Sequence, residues 1–207
     1  MHRRFIVIDY DTRRYPFAAI LSRDVFRVTH LDRLHEVVRG RTGRTLRYHD
    51  NLVQRSLMQR IEDEAPFYRI YHAWIAQMLA PPYRERIRYS AHPKMRVHLA
   101  GTGSVSAFHR DIDITHRTEQ INCFLPFTDV YDGCTLHIET NYGSGDFQPV
   151  NLCYGQALIW DGGMLAHGSR CNGTATTRVS CDFRFHPTQP DTVPRPWSDV
   201  LADRPAV

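Results

Sequence analysis

Lysine is almost missing from this chain: Lys94 is the only one among 26 basic residues, an arginine bias that reflects codon composition more than chemistry. No apolar run approaches the roughly 18 residues that a membrane-spanning helix needs. The opening MHRRFIVIDY holds only a short apolar stretch cut by Asp9, so no secretory signal is expected. There is no C-x-x-C pair either. Cys123, Cys134, Cys153, Cys171 and Cys181 form an odd set without metal-knot spacing. Reduced, mostly buried thiols in a cytoplasmic protein are expected rather than a disulfide framework. Internal repeats and low-complexity tracts are also lacking.

What is present suits one substantial domain, 207 residues long with a formal charge of +4. That charge is divided unevenly, with 19 basic against 10 acidic residues up to position 100 and 7 against 12 thereafter. The front-half arginines are scattered among acids, the pattern of a solvated helical shell. A nucleic-acid module would show a clustered basic stripe with interleaved aromatics and steeply salt-dependent binding.

Phe5 to Asp9 reads as a short strand followed by turns, and helical patterning covers residues 30–39, about 50–61 and 66–80, the last stopped by Pro81 and Pro82. From residue 86 the texture changes to short β-branched and aromatic runs between Gly, Asn, Asp and Pro. Strands are expected at 87–89, 95–99, 105–109, 120–127, 135–139, 148–150, 157–160 and 178–185. The expected class is mainly β (α+β): a double-stranded β-helix, jelly-roll or cupin-like, with N-terminal helices packed outside. One domain spans 1–207, with a helical elaboration at 1–85, the core at 86–187 and an extended tail at 188–207.

Within the expected core, Phe108-His-Arg-Asp111 is followed by His167, and His167 by Arg178 eleven residues on. Two imidazoles and one carboxylate with open positions form the facial triad of non-haem iron(II) sites. On a strand, residues i and i+2 share a face, so His109 and Asp111 are expected to point together. Spacing alone is weak evidence, because His2, His30 and His49 also precede an arginine by eleven residues, and His30-Leu-Asp32 repeats H-x-D. The latter lies in a helical pattern, where i and i+2 do not share a face. Asp113 and His116 compete as ligands but lack the i, i+2 partnership.

Arg178-Val-Ser-Cys-Asp-Phe-Arg-Phe185 alternates cleanly, placing Arg178, Ser180, Asp182 and Arg184 on one face. That stripe faces either water or a cavity. In a cavity, Arg178 is suited to a carboxylate, since a guanidinium makes two parallel hydrogen bonds to that planar group, and Ser180 adds a third. Asn122, in the alternating run 120–127, reaches the same space or pairs with backbone. Small residues around His167, Gly162, Gly163 and Gly168, allow close backbone approach.

Together, Arg96-Val-His-Leu-Ala-Gly101, Phe108-His-Arg-Asp111, Glu119-Gln-Ile-Asn122, Leu125-Pro-Phe-Thr-Asp129, Thr135-Leu-His-Ile-Glu139, Gly145 to Val150 and His167-Gly168 through Arg184 resemble the Fe(II)/2-oxoglutarate-dependent oxygenases. Within them the phytanoyl-CoA-dioxygenase-like group is most similar, and especially its members from streptomycin-type aminoglycoside pathways. The resemblance covers roughly residues 94–187. It implies iron ligation by His109, Asp111 and His167, with Arg178 binding the distal carboxylate of 2-oxoglutarate, to which Ser180 and Asn122 are expected from their strand faces to add hydrogen bonds. It implies that O2 and 2-oxoglutarate are consumed and that succinate and CO2 are formed. Since Asp111 fills the carboxylate position, hydroxylation or oxidative ring closure is expected rather than halogenation.

Cys134, where a polar residue is expected, and His137, where an aromatic is expected, depart from the pattern and leave the substrate open. Arg96, His98, Glu139 and Asp146 are substrate candidates and suggest a small polar metabolite, in an antibiotic-type pathway, as the partner. Neither membrane nor nucleic acid is expected as a partner, and a monomer or homodimer is expected. The rival reading is a cupin-like protein that uses the same ligands without oxidation, for which zinc would serve. Arg178 discriminates, since non-oxidative chemistry needs no carboxylate clamp.

Overall fold

Two alternating polar and apolar runs, at residues 121–126 and 178–187, decide where this molecule keeps its core and where it keeps its cavity. The computed structural model describes residues 5–117 and 119–189. In chain order the elements are β1 (Phe5–Asp9), α1 (Phe17–Ile20), α2 (Leu34–Thr42), α3 (Tyr48–Met58), α4 (Pro66–Trp74), β2 (Ile87–Tyr89) and β3 (Lys94–His98). They continue with α5 (Ile112–Thr115), β4 (Ile121–Pro126), β5 (His137–Glu139), β6 (Phe147–Pro149), β7 (Gln156–Trp160), β8 (His167–Gly168) and β9 (Arg178–Pro187).

The strands form two antiparallel sheets. The larger runs β1-β7-β4-β9-β2, with β3 also paired to β9, and the smaller runs β6-β5-β8. β9 is ten residues long because it serves three partners: β4 along one edge, β2 and β3 in succession along the other. Its apolar set, Val179, Cys181, Phe183 and Phe185, is at most 3% exposed and joins Ile121, Cys123 and Leu125 of β4 against the helices. The opposite faces carry Arg178, Asp182 and Arg184 from β9 and Asn122 and Phe124 from β4 into a cavity, while Ser180, on the same face of β9, is wholly buried outside its lining. A second apolar cluster, including Phe124, Leu158 and Trp160 from the large sheet and Ile138 from the small one, joins the two sheets.

Helix α4 shows why the front half packs as it does. Pro66 opens it at a position where the missing N–H costs nothing. Phe67, Tyr71 and Trp74 then bury one stripe, continued by Ile75 and Leu79 in a wider, π-type turn. The Tyr71 ring meets Phe183 edge-on at 5.3 Å, and each such buried aromatic contributes about 1.5–3 kcal/mol. Helix α2 runs to Thr42, past the expected residue 39, because Gly43 takes the left-handed conformation (φ 63°) and donates its N–H to Arg39 O at 2.9 Å.

The expected strand at Phe5–Asp9 is present, and it pairs with β7 to form an edge of the large sheet. Two expectations need correction. Residues Phe17–Phe26 form a helical turn that continues into a π-type turn, where no helix was expected; Pro16 precedes it without any capping side chain. Residues 105–109 are not a strand. The Ser169 hydroxyl accepts the backbone N–H groups of Val105 and Ser106 at 3.0 and 2.9 Å, replacing a ladder, and only His109 makes a bridge. The expected tail lies, from residue 190, outside the described residues. No helix among the described residues is long and apolar enough to cross a membrane.

Candidate metal centre

His109, Asp111 and His167 present one ligand atom each, all within 4.8 Å of one another. The route to that cluster differs from the expected one. His109 and His167 face each other in an isolated antiparallel bridge, exchanging backbone hydrogen bonds of 3.0 and 2.9 Å, with ring centroids 4.7 Å apart. Asp111 is not on a strand with His109 but caps α5 in helical conformation, its N–H bonded to Gly162 O at 2.9 Å.

Both imidazoles are set in the same tautomer. His109 Nδ1–H donates to Ala107 O at 2.8 Å and His167 Nδ1–H to Leu165 O at 3.0 Å, so each Nε2 lone pair is turned to the shared point. His109 Nε2 lies 3.4 Å from Asp111 Oδ1. This donor set, two nitrogens and one carboxylate with open sides, fits a divalent transition-metal ion.

Asp111, 1% exposed, is held from three sides. Asn122 Nδ2 donates to Oδ2 at 2.7 Å, while Arg184 donates from Nε to Oδ2 at 2.7 Å and from Nη2 to Oδ1 at 2.6 Å. Burial alone would raise the carboxyl pKa, but the adjacent His109 imidazole and the hydrogen bonds from Arg184 and Asn122 outweigh it and hold it far below the usual carboxylate range. The same contact with Asp111 raises the His109 pKa, whereas burial lowers that of His167.

The cavity holding these groups has about 480 Å3 of empty space, its mouth included. Arg178 lines its floor, 3% exposed, with Nε and Nη1 buried and unpartnered among the described residues. Beside it the Ser180 hydroxyl is fully buried and also lacks a partner. Burial lowers the guanidinium pKa to about 10, with Arg96 adding repulsion, so it stays charged at neutral pH. Each buried unmet donor costs about 1–3 kcal/mol, which a bound acceptor would recover. The residues thus fit a planar carboxylate as well as a metal.

The other expected residues separate. Arg96 lines the cavity and donates from Nε to Asp182 Oδ1 at 2.8 Å. His98 lies across the strand from Arg178, wholly buried, with both ring nitrogens unpartnered. Glu139 accepts from Gly145 N and Ala166 N, and Asp146 is exposed beside Thr140; neither lines the cavity. Asp113 pairs with Arg110 on the surface, and His116 ends α5; neither joins the cluster. The sequence reading placed Arg184 and Asp182 on the polar face without roles and passed over Lys94, Ser169 and Trp160, all cavity-lining. The i, i+2 relation of Lys94 to Arg96 was the available signal for the lysine.

No family model matches the chain. It is 30% identical over 188 residues to the streptomycin biosynthesis protein StrG of Streptomyces griseus, covering 89% of this chain and 85% of that protein. Among solved structures, the alpha ketoglutarate dependent carbocyclase SnoK from nogalamycin biosynthesis superposes with a TM-score of 0.55 at 10% identity, over 90% of this chain and 81% of SnoK. HygX from Streptomyces hygroscopicus, solved with nickel and 2-oxoglutarate bound, gives 0.54 at 13% identity, over 90% and 84%. At such identities the likeness is one of fold.

Proposed function

The chain belongs to the family of the streptomycin biosynthesis protein StrG, and on that premise we propose that it is an Fe(II)/2-oxoglutarate-dependent oxygenase acting on a small polar metabolite in natural-product biosynthesis. One observation carries the reading: a buried guanidinium with unmet donors, Arg178, shares a cavity with a His-Asp-His cluster. A non-oxidative metal protein has no use for that clamp. The finer assignment is to the phytanoyl-CoA-dioxygenase-like group with a jelly-roll core spanning one domain, supported by the two antiparallel sheets joined across their apolar faces. All five cysteines are free thiols, which suits a reducing cytoplasm.

His109, Asp111 and His167 hold the iron, and Arg178 with Ser180 takes the distal carboxylate of 2-oxoglutarate. When bound, iron(II), 2-oxoglutarate and O2 supply a two-electron oxidation of a substrate C–H bond, the cosubstrate leaving as succinate and CO2. Asn122 and Arg184 fix the orientation of Asp111, leaving its carboxylate one pose toward the ion. Phe124, Leu136 and Trp160 line the cavity and keep bulk water off the reacting groups. With Asp111 in place no ligand position is vacated for a halide, so hydroxylation or ring closure is the outcome.

Under anaerobic conditions the wild type with iron(II) and 2-oxoglutarate is expected to give a weak visible charge-transfer band. His109→Ala or His167→Ala abolishes it. A wild type that binds neither iron nor 2-oxoglutarate ends the oxygenase reading.

A further inference from the structure

β3 and β9 together work as a depth scale for the cavity. On β3 one face goes from exposed Lys94 through Arg96, both lining the cavity, to His98, which is wholly buried outside its lining. On β9 the cavity residues go from Arg178 at the floor, 3% exposed, to Asp182 and Arg184, whose side chains are 29% and 33% exposed, with Ser180 wholly buried between them. The antiparallel register sets His98 opposite Arg178, Arg96 opposite Ser180 and Lys94 opposite Asp182. Four residues of strand, roughly 13 Å, therefore separate the Arg178 clamp from the Lys94 level.

The cavity is lined by four cations, Lys94, Arg96, Arg178 and Arg184, and two carboxylates, Asp111 and Asp182. Arg184 is spent on both oxygens of Asp111. Asp182 is engaged by Arg96, but through Nε alone; the two terminal nitrogens of Arg96 make no hydrogen bond among the described residues and are not closed off from the cavity. The Lys94 ammonium makes no ion pair among the described residues. Partial burial and then the nearby Arg96 charge lower its pKa, with Asp182 and Asp111 opposing.

Resting on the oxygenase reading, we propose that Lys94 and the terminal nitrogens of Arg96 form a mouth subsite for a dianionic substituent of the substrate, a phosphate monoester. The charge count selects two negative charges. A divalent metal and the cosubstrate dianion cancel, which leaves the cavity as a whole with a side-chain surplus of two positive charges, and the cations free to meet a ligand at its mouth are Lys94 and the outer end of Arg96. A substrate amine would have to compete with Arg96 for Asp182 while facing Lys94 across the strand pair.

The test uses protein loaded anaerobically with cobalt(II) and saturating 2-oxoglutarate, titrated by calorimetry with methyl phosphate, acetate and methylammonium. Methyl phosphate should bind more tightly than acetate, and methylammonium not at all. Lys94→Gln should weaken methyl phosphate at least tenfold while leaving cobalt and 2-oxoglutarate affinities as in the wild type. Phosphate binding no tighter than acetate, binding of methylammonium instead, or an unaffected Lys94→Gln variant each overturns the subsite. Failure of wild-type protein to load cobalt or 2-oxoglutarate overturns the oxygenase reading itself, and the subsite with it.

Discussion

Arg184 grips both carboxylate oxygens of Asp111, from Nε at 2.7 Å and Nη2 at 2.6 Å. That pairing neutralises a buried charge and leaves the carboxylate a single orientation. Groups that orient a metal ligand in this way are worth about 10–100-fold in affinity. Arg184→Gln is therefore expected to weaken nickel(II) or iron(II) binding by about that factor, measured by calorimetry, with 2-oxoglutarate affinity at saturating metal little changed. A gain in metal affinity would mean that Arg184 competes with the ion for Asp111, and the orienting role would be lost.

Arg178 should divide cosubstrate from metal. Two charge-assisted hydrogen bonds at about 1.5–3 kcal/mol each make its loss cost at least 3 kcal/mol, or roughly 100-fold. Arg178→Ala is expected to weaken 2-oxoglutarate by that much and metal hardly at all. Arg178→Lys recovers only part, because an ammonium cannot reproduce the fork. Equal weakening of both ligands in Arg178→Ala would indicate a collapsed cavity instead.

The polar stripe of β9 was legible because a strand writes its two faces at period two, and Arg178, Asp182 and Arg184 do share the cavity face. The same rule misled at His109 and Asp111. Their proximity comes from two tertiary contacts, His109 to His167 and Asp111 N–H to Gly162 O, that join segments about fifty residues apart. Local pattern carries no information on such pairings. Arg184 shows the same limit: alternation sets its face, but its partner lies 73 residues away. The helical turn over Phe17–Phe26 was missed for a local reason, the lack of any capping side chain to announce it.

The glycines beside the metal centre give two different outcomes from the same added methyl. At Gly168 a Cβ would come within 2.9 Å of Phe108 Cα and N, backbone atoms next to the His109 bridge. That contact is relieved only by moving the bridge, at about 1–3 kcal/mol, so Gly168→Ala should lower Tm by roughly 2–12 °C and weaken metal binding. At Gly162 the three atoms nearest the added one all belong to the Asn122 side chain. Asn122 can rotate away, so Gly162→Ala should fold nearly as well as the wild type and lose only the hydrogen bond to Asp111. Thermal unfolding with metal titration separates them; two variants equal in both measurements would discard the distinction.

His98 offers a test in acid. Burial, with repulsion from Arg178 second, lowers its pKa to about 3 in the folded protein, while the unfolded chain titrates near 6.5. Below pH 6.5 the unfolded state therefore binds a proton that the folded state refuses, and stability falls with pH until about pH 3. The slope is about 1.4 kcal/mol per pH unit, near 2 kcal/mol between pH 6.5 and 5. Neither ring nitrogen has a well-formed hydrogen-bond partner among the described residues, so leucine at this position forfeits only weak contacts with the Thr102 and Gly103 backbone. Urea unfolding of the metal-free protein should show His98→Leu close to wild type at pH 7.5 and more stable by about 2 kcal/mol at pH 5. Parallel pH profiles for the two proteins would mean that His98 takes up its proton without unfolding, which a wholly buried imidazole opposite Arg178 should not do.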